Sequence, residues 1–153
     1  TEYRNYLLVY SVPQSKLMAE AVEYVAKKFG YRVVLIDQSL RPRLKNDYHI
    51  MDAGPLDFLK LYKSAKFVIT DSFHGVCFSL IFKKPFIAVH SGKKALRMED
   101  LLVKLNAKDL LIKNIECIGN ALQFDVTEID LTKVREEGKW YLENAFEVDK
   151  EIK

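Results

Sequence analysis

Phe67-Val68-Ile69-Thr70-Asp71-Ser72-Phe73-His74-Gly75-Val76-Cys77-Phe78-Ser79-Leu80-Ile81-Phe82, followed by Lys83-Lys84-Pro85-Phe86-Ile87-Ala88-Val89-His90, is the stretch on which the fold turns. Four β-formers, a cluster of hydrogen-bonding residues, an apolar run of about ten residues and a proline-led β-run predict strand, sharp turn, buried helix and strand. That order is a parallel βαβ unit. Its turn lies at the carboxyl edge of the sheet, where the helix presents unpaired N–H groups and the positive end of its dipole. Anions bind at such positions. A histidine in the turn, beside Ser72 and Gly75, can face a negative ligand and move a proton.

Upstream the same alternation recurs. Tyr6-Leu7-Leu8-Val9-Tyr10-Ser11-Val12 is a continuous apolar run of strand length, the pattern of a parallel strand covered on both faces and expected at the centre of the sheet. Pro13 breaks it and Ser15 can cap a helix. Leu17, Met18, Ala21, Val22, Val25 and Phe29 then recur at helical spacing up to a Gly30 stop. A second strand follows at Arg32-Val33-Val34-Leu35-Ile36-Asp37, with a right-handed crossover expected between the two. From Gln38 to Gly54 the periodicity is lost, and Tyr48-His49-Ile50-Met51 supports at most a short edge strand. Gly54-Pro55 opens a helix with Leu56, Leu59 and Tyr62 as its expected inner stripe.

Downstream, a basic loop from His90 to Arg97 leads to a short helix expected over Met98 to Leu105, and Asp109-Leu110-Leu111-Ile112 is a weak fifth strand. Asn114 to Thr127 has no clean period and receives no assignment. Asp130 to Ile152 predicts a long terminal helix with Val134, Tyr141, Leu142, Ala145 and Val148 inward and a bend at Gly138. The fold class expected is α/β: a doubly wound, mostly parallel, Rossmann-like sheet in the order 2-1-3-4-5, flanked by helices. The order reverses between the first and third strands. Ligands bind outside the carboxyl ends at such a reversal, here Ser11-Val12-Pro13 and Asp71-Ser72-Phe73-His74-Gly75.

A chain of 153 residues with 49% hydrophobic and 29% charged content is one domain with a sizeable core. No apolar run reaches the roughly eighteen residues of a membrane span, and the first residues lack the shape of a signal peptide, so a soluble protein of the cytoplasm is expected. A net charge of +3 is too small for the footprint of a nucleic-acid binder. Cys77 and Cys117 lack metal-ligand spacing and are expected as buried thiols. A native chain is expected to open with Met rather than Thr1, and the chain is expected to be a piece of a longer protein.

His74 is the first candidate for chemistry, against the plainer reading of a histidine packed in a first helical turn. Ser72 can be the N-cap of that helix. Gly75 serves either close helix–sheet packing or ligand approach to the backbone. Asp71 is more suited to holding a turn than to acting as a base. Arg97 lies on the same edge and can fork onto a carboxylate or phosphate. Lys93, Lys94, Arg41 and Arg43 are expected as solvated charges, and His49 and His90 receive no role. No Gly-x-Gly-x-x-Gly follows the first strand, and neither a Walker-type loop nor a nucleophile elbow is present.

The run Ile69 to Phe86 closely resembles the signature of the polysaccharide pyruvyl transferase family. Gly54-Pro55-Leu56-Asp57-Phe58-Leu59 and Ser64-Ala65-Lys66 resemble the elements preceding that signature, and Arg97 with Leu101-Leu102 is similar to the family's loop and helix beyond it. Members resemble two-domain GT-B glycosyltransferases. The resemblance implies that this chain is the C-terminal, donor-binding half, with its last helix crossing back to an N-terminal half of the same protein. It implies transfer of the enolpyruvyl group of phosphoenolpyruvate to two hydroxyls of a glycan acceptor, giving a pyruvate ketal and phosphate, with no metal and no cofactor. His74 is carried over as the donor-binding or acid-catalytic residue, with Ser11, Asp71, Ser72, Phe73, Gly75 and Arg97 expected to bind substrate. Relatives carry an arginine two residues before the histidine where this chain has Ser72, so the cation is expected from Arg97. Two other readings keep the fold: half of a nucleotide-sugar glycosyltransferase, and a non-catalytic anion-binding domain of the flavodoxin-like sort.

Overall fold

The structure is a computed structural model that describes residues 3–11 and 15–139. Six strands form one sheet: β1 (Tyr6–Tyr10), β2 (Arg32–Ile36), β3 (Tyr48–Ile50), β4 (Phe67–Thr70), β5 (Phe86–Val89) and β6 (Leu111–Ile112). Every pairing is parallel, and the spatial order is β3-β2-β1-β4-β5-β6. The five strands expected from sequence keep their order. The correction is a sixth, β3, which pairs Val34, Leu35 and Ile36 of β2 with Tyr48, His49 and Ile50 and so extends the sheet beyond the expected edge. Three half-buried residues are enough because β2 supplies a ready row of donors and acceptors.

The alternation of buried side chains shows why the central strands read as unbroken apolar runs. Tyr6 and Leu8, Val34 and Ile36, Val68, Phe86 and Ala88 point to one face, and Leu7 and Val9, Val33 and Leu35, Phe67 and Ile69, Ile87 and Val89 to the other. Both faces are covered by helices. Helix α1 (Lys16–Phe29) buries Met18, Ala21, Val22 and Val25 on the second face. It starts with the Ser15 hydroxyl accepting the Met18 N–H at 3.1 Å and ends at Gly30 with φ 66°. Helices α2 (Pro55–Ser64), α3 (Phe73–Ile81) and α4 (Leu96–Lys104) contribute buried residues to the first face.

Several boundaries differ from the sequence reading. In α2 the inward stripe is Phe58, Leu61 and Tyr62, continued by Ala65 at the C-cap, whereas Leu56 is 71% exposed because the first turn, opened by Pro55, extends past the packed core. Helix α4 begins at Leu96, two residues earlier than expected, after a 3-10 turn over Gly92–Ala95. The weak fifth strand is only β6, since a 3-10 turn takes Lys108–Leu110. The unassigned region contains a 3-10 turn at Ile115–Cys117, α5 (Ile118–Gln123) and a 3-10 turn at Val126–Glu128. Of the long terminal helix, residues 132–139 are helical with Val134 half-buried, and Tyr141, Leu142, Ala145 and Val148 lie outside the described residues. Cys77 and Cys117 are free, half-buried thiols rather than fully buried ones. No helix among the described residues is long and apolar enough to cross a membrane.

Candidate active site

The turn after β4 is built from the strand outward. Thr70, fully buried, donates its hydroxyl hydrogen to the Tyr10 carbonyl of β1 at 2.7 Å and accepts the Ser72 N–H at 3.1 Å. One side chain thus ties the carboxyl ends of the two central strands together and pins the turn. Beside it, the Ser11 hydroxyl donates to Asp71 Oδ2 at 3.0 Å, and both residues are buried. Ser11 and Asp71, both expected to bind substrate, are hydrogen-bonded to each other. Asp71 holds the turn, in line with the plainer reading of that residue.

Ser72 is the N-cap residue of α3, and its carbonyl accepts the Val76 N–H at 3.0 Å, but its side chain makes no capping hydrogen bond. The hydroxyl therefore does not take the amide hydrogens at the start of α3, which are left at the sheet edge with the positive end of the helix dipole. Gly75 is buried, and a Cβ built there would lie 2.2 Å from Thr70 Oγ1, 2.8 Å from its Cβ and 2.9 Å from its Cγ2. Of the two readings of this glycine, close packing is the one realised: Thr70 fills the space a side chain would need. Farther along the helix, the Ser79 hydroxyl donates to the Gly75 carbonyl at 2.8 Å.

His74 is exposed in the first turn of α3, pointing away from the core. Phe73 is half-buried, with its ring edge-on to the His74 ring at 6.2 Å between centroids. The guanidinium carbon of Arg97 lies 5.0 Å from the centre of the Phe73 ring, a cation–π contact. Arg97 belongs to the first turn of α4 rather than to a loop, so two helices bring a cation, an aromatic ring and an imidazole to one edge. The same guanidinium acts on the Cys77 thiol: burial pushes the thiol up, and Arg97 opposes that shift. A thiol so disfavoured as thiolate is a poor nucleophile.

The other sequence candidates are not gathered here. Arg41 and Arg43 are exposed on the segment after β2, and the His49 ring nitrogen Nε2 lies 3.1 Å from the Asp37 carbonyl. His90 accepts the Gly92 N–H on Nδ1 at 3.3 Å and lies near Glu99, whose carboxyl is held low chiefly by its hydrogen bond with Lys113. Clefts among the described residues lie elsewhere. One of about 790 Å³ is bordered by Lys104, Phe124 and Val134, one of about 380 Å³ by Glu99 and Cys117, and one of about 480 Å³ by Ala26 and Leu44. Sequence reading missed Thr70. The signal available was a β-branched hydroxyl at the last position of a buried strand, five residues before a glycine.

The family model for polysaccharide pyruvyl transferase matches residues 2–91, more than half of the chain and all of β1 to β5. The chain belongs to the polysaccharide pyruvyl transferase family. No curated protein matches it. Among solved structures, this pyruvyl transferase family chain is similar to a UDP-GlcNAc 2-epimerase from Neisseria meningitidis bound to UDP-GlcNAc. There the identity is 15%, the TM-score 0.56, and the match covers 92% of this chain and 38% of that one. It is also similar to the UDP-GlcNAc 2-epimerase from Methanocaldococcus jannaschii, at 17% identity and TM-score 0.59, over 82% of this chain and 40% of that one. At such identities the likeness is one of fold. The chain spans about two fifths of the length of these solved structures.

Proposed function

We propose that the chain is the C-terminal, donor-binding half of a two-domain GT-B-like polysaccharide pyruvyl transferase. It takes phosphoenolpyruvate as donor and a glycan carrying two suitably spaced hydroxyls as acceptor. The observation that carries this reading is the meeting of exposed His74, the uncapped start of α3 and Arg97 on one sheet edge, within a chain of this family. Phosphoenolpyruvate is a compact anion with a phosphate and a carboxylate, and amide hydrogens at a helix start together with a guanidinium match that charge. Arg97 supplies the cation that relatives carry at the position of Ser72.

The chemistry balances as an addition followed by a displacement. One sugar hydroxyl oxygen bonds to C2 of the enolpyruvyl group and gives up its proton to solvent, while the C2–C3 double bond opens and the methylene carbon C3 takes a proton from an acid, giving a methyl group. Phosphate then leaves C2 with the bonding pair, the second hydroxyl bonds to C2, and its proton leaves with phosphate or solvent. His74 serves this sequence either as the acid toward C3 or as the positive partner of the departing phosphate. In both roles the imidazole acts through an N–H directed at the donor.

The test uses the full-length protein, phosphoenolpyruvate and candidate glycans, with inorganic phosphate as readout. His74→Ala should lower kcat more than tenfold, and Arg97→Ala should raise KM for phosphoenolpyruvate more than it lowers kcat. A His74→Ala enzyme within tenfold of wild type would remove His74 from the mechanism. A thermal shift with UDP-sugars and none with phosphoenolpyruvate would replace the donor class. The isolated chain is expected to bind donor without completing transfer.

A further inference from the structure

We infer that Thr70 is the positioning residue of this site. Its hydroxyl, rather than the Ser72 side chain, fixes where the amino end of α3, and so His74, stands relative to the rest of the sheet. The inference rests on the proposed reading for its catalytic consequence and on geometry alone for its structural one.

Three contacts converge on this one side chain. Its hydroxyl hydrogen goes to the Tyr10 carbonyl on β1 at 2.7 Å, and its oxygen receives the Ser72 N–H at 3.1 Å. Its oxygen and both carbons occupy the space beside the Gly75 α carbon so fully that a Cβ there would lie within 3 Å of all three. The two hydrogen bonds set the turn's distance from β1, and the packing sets the helix's distance from β4. Residues 73 and 74 lie between the two points of fixation, at 72 and 75. The hydroxyl is fully buried, so water cannot replace it: with valine, the Tyr10 carbonyl loses this donor and the Ser72 N–H this acceptor. Ser72 has no comparable hold, since its side chain does not cap the helix.

The test compares Thr70→Val, which keeps the shape and removes the hydroxyl, with Thr70→Ser, which keeps the hydroxyl. Both are made in the full-length protein and read by amide hydrogen exchange across residues 71–75, thermal melting, and the kcat and KM of phosphate release from phosphoenolpyruvate. Thr70→Val should exchange at least tenfold faster at these amides and lose at least tenfold in kcat/KM, a larger loss than its melting shift explains. Thr70→Ser should stay within threefold of wild type in both. If the valine variant does not fold, Thr70→Ala takes its place. Wild-type exchange in the hydroxyl-free variant, or equal losses in the serine and hydroxyl-free variants, would overturn the inference. If the wild type releases no phosphate, the pyruvyl reading fails, and the exchange comparison still decides the role of Thr70.

Discussion

Gly75→Ala is the sharpest perturbation of this architecture, because one methyl group is driven into a fully buried side chain. The added carbon would lie 2.2 Å from Thr70 Oγ1, more than 1 Å short of ordinary contact, and 2.8 and 2.9 Å from two Thr70 carbons. Thr70 cannot yield by turning, since two hydrogen bonds hold its hydroxyl. Either α3 lifts from the sheet by about 1 Å or those bonds break. Overpacking of this kind costs roughly 1–3 kcal/mol, and at a site with no soft neighbour the upper end applies. Alanine returns up to about 1 kcal/mol through its better helix propensity. The net expectation is a loss of roughly 2 kcal/mol, which lowers the melting temperature of a domain of this size by about 4–8 °C. On the proposed function, the helix displacement should also lower phosphate release by the full-length protein about 10- to 100-fold, since misplacing a reacting group by about 1 Å has effects of that order. Thermal melting with initial-rate kinetics measures both. A variant that melts at or above the wild-type temperature and releases phosphate at the normal rate would refute the packing account of this glycine.

Two buried tyrosines make a paired prediction. The Tyr6 hydroxyl donates to the Leu61 carbonyl at 2.6 Å, so Tyr6→Phe should cost about 1 kcal/mol in denaturant unfolding. The Tyr62 hydroxyl is buried and makes no well-formed hydrogen bond among the described residues, so Tyr62→Phe should be neutral or stabilising by up to about 1 kcal/mol, and a loss above that would contradict the assignment. Alkaline stability follows from the same groups. Burial pushes the Tyr6 phenol up to about 12, and burial drives Tyr62 up as well, with the nearby Thr70 hydroxyl opposing it. Phenols whose folded pKa lies above the unfolded value of about 10 contribute stability that is complete below that pH and is lost as the pH rises toward 12. Unfolding titrations from pH 8 to 12 should show this fall, and Tyr6→Phe should make it shallower; a stability that does not change from pH 10 to 12 would exclude the mechanism.

Most of the α/β architecture is legible in the sequence because its strands are buried on both faces. Leu7-Leu8-Val9 or Phe67-Val68-Ile69 can only be uninterrupted apolar runs when helices cover both sides, and the punctuation at Ser15, Gly30 and Pro55 marks the helix ends. The sequence signals β3 less clearly. Its three residues are half-buried, so periodicity is weak, and it exists because β2 offers an open edge. The stripe of α2 departs from expectation at Leu56 because helical spacing gives a face but does not say how far the core extends along the helix.

At the candidate site the division is similar. The strand, turn and helix around His74, and the family signature they carry, are properties of consecutive residues, and local chemistry is enough to read them. That Ser11 donates to Asp71, that Thr70 donates to the Tyr10 carbonyl of β1, and that Arg97 reaches the Phe73 ring are relations between residues up to 60 positions apart. Spacing along the chain carries no record of them. They arise only when parallel strands set β1 beside β4 and bring the start of α4 against α3, because a short hydrogen bond or a packing contact depends on distances in space that the fold alone creates.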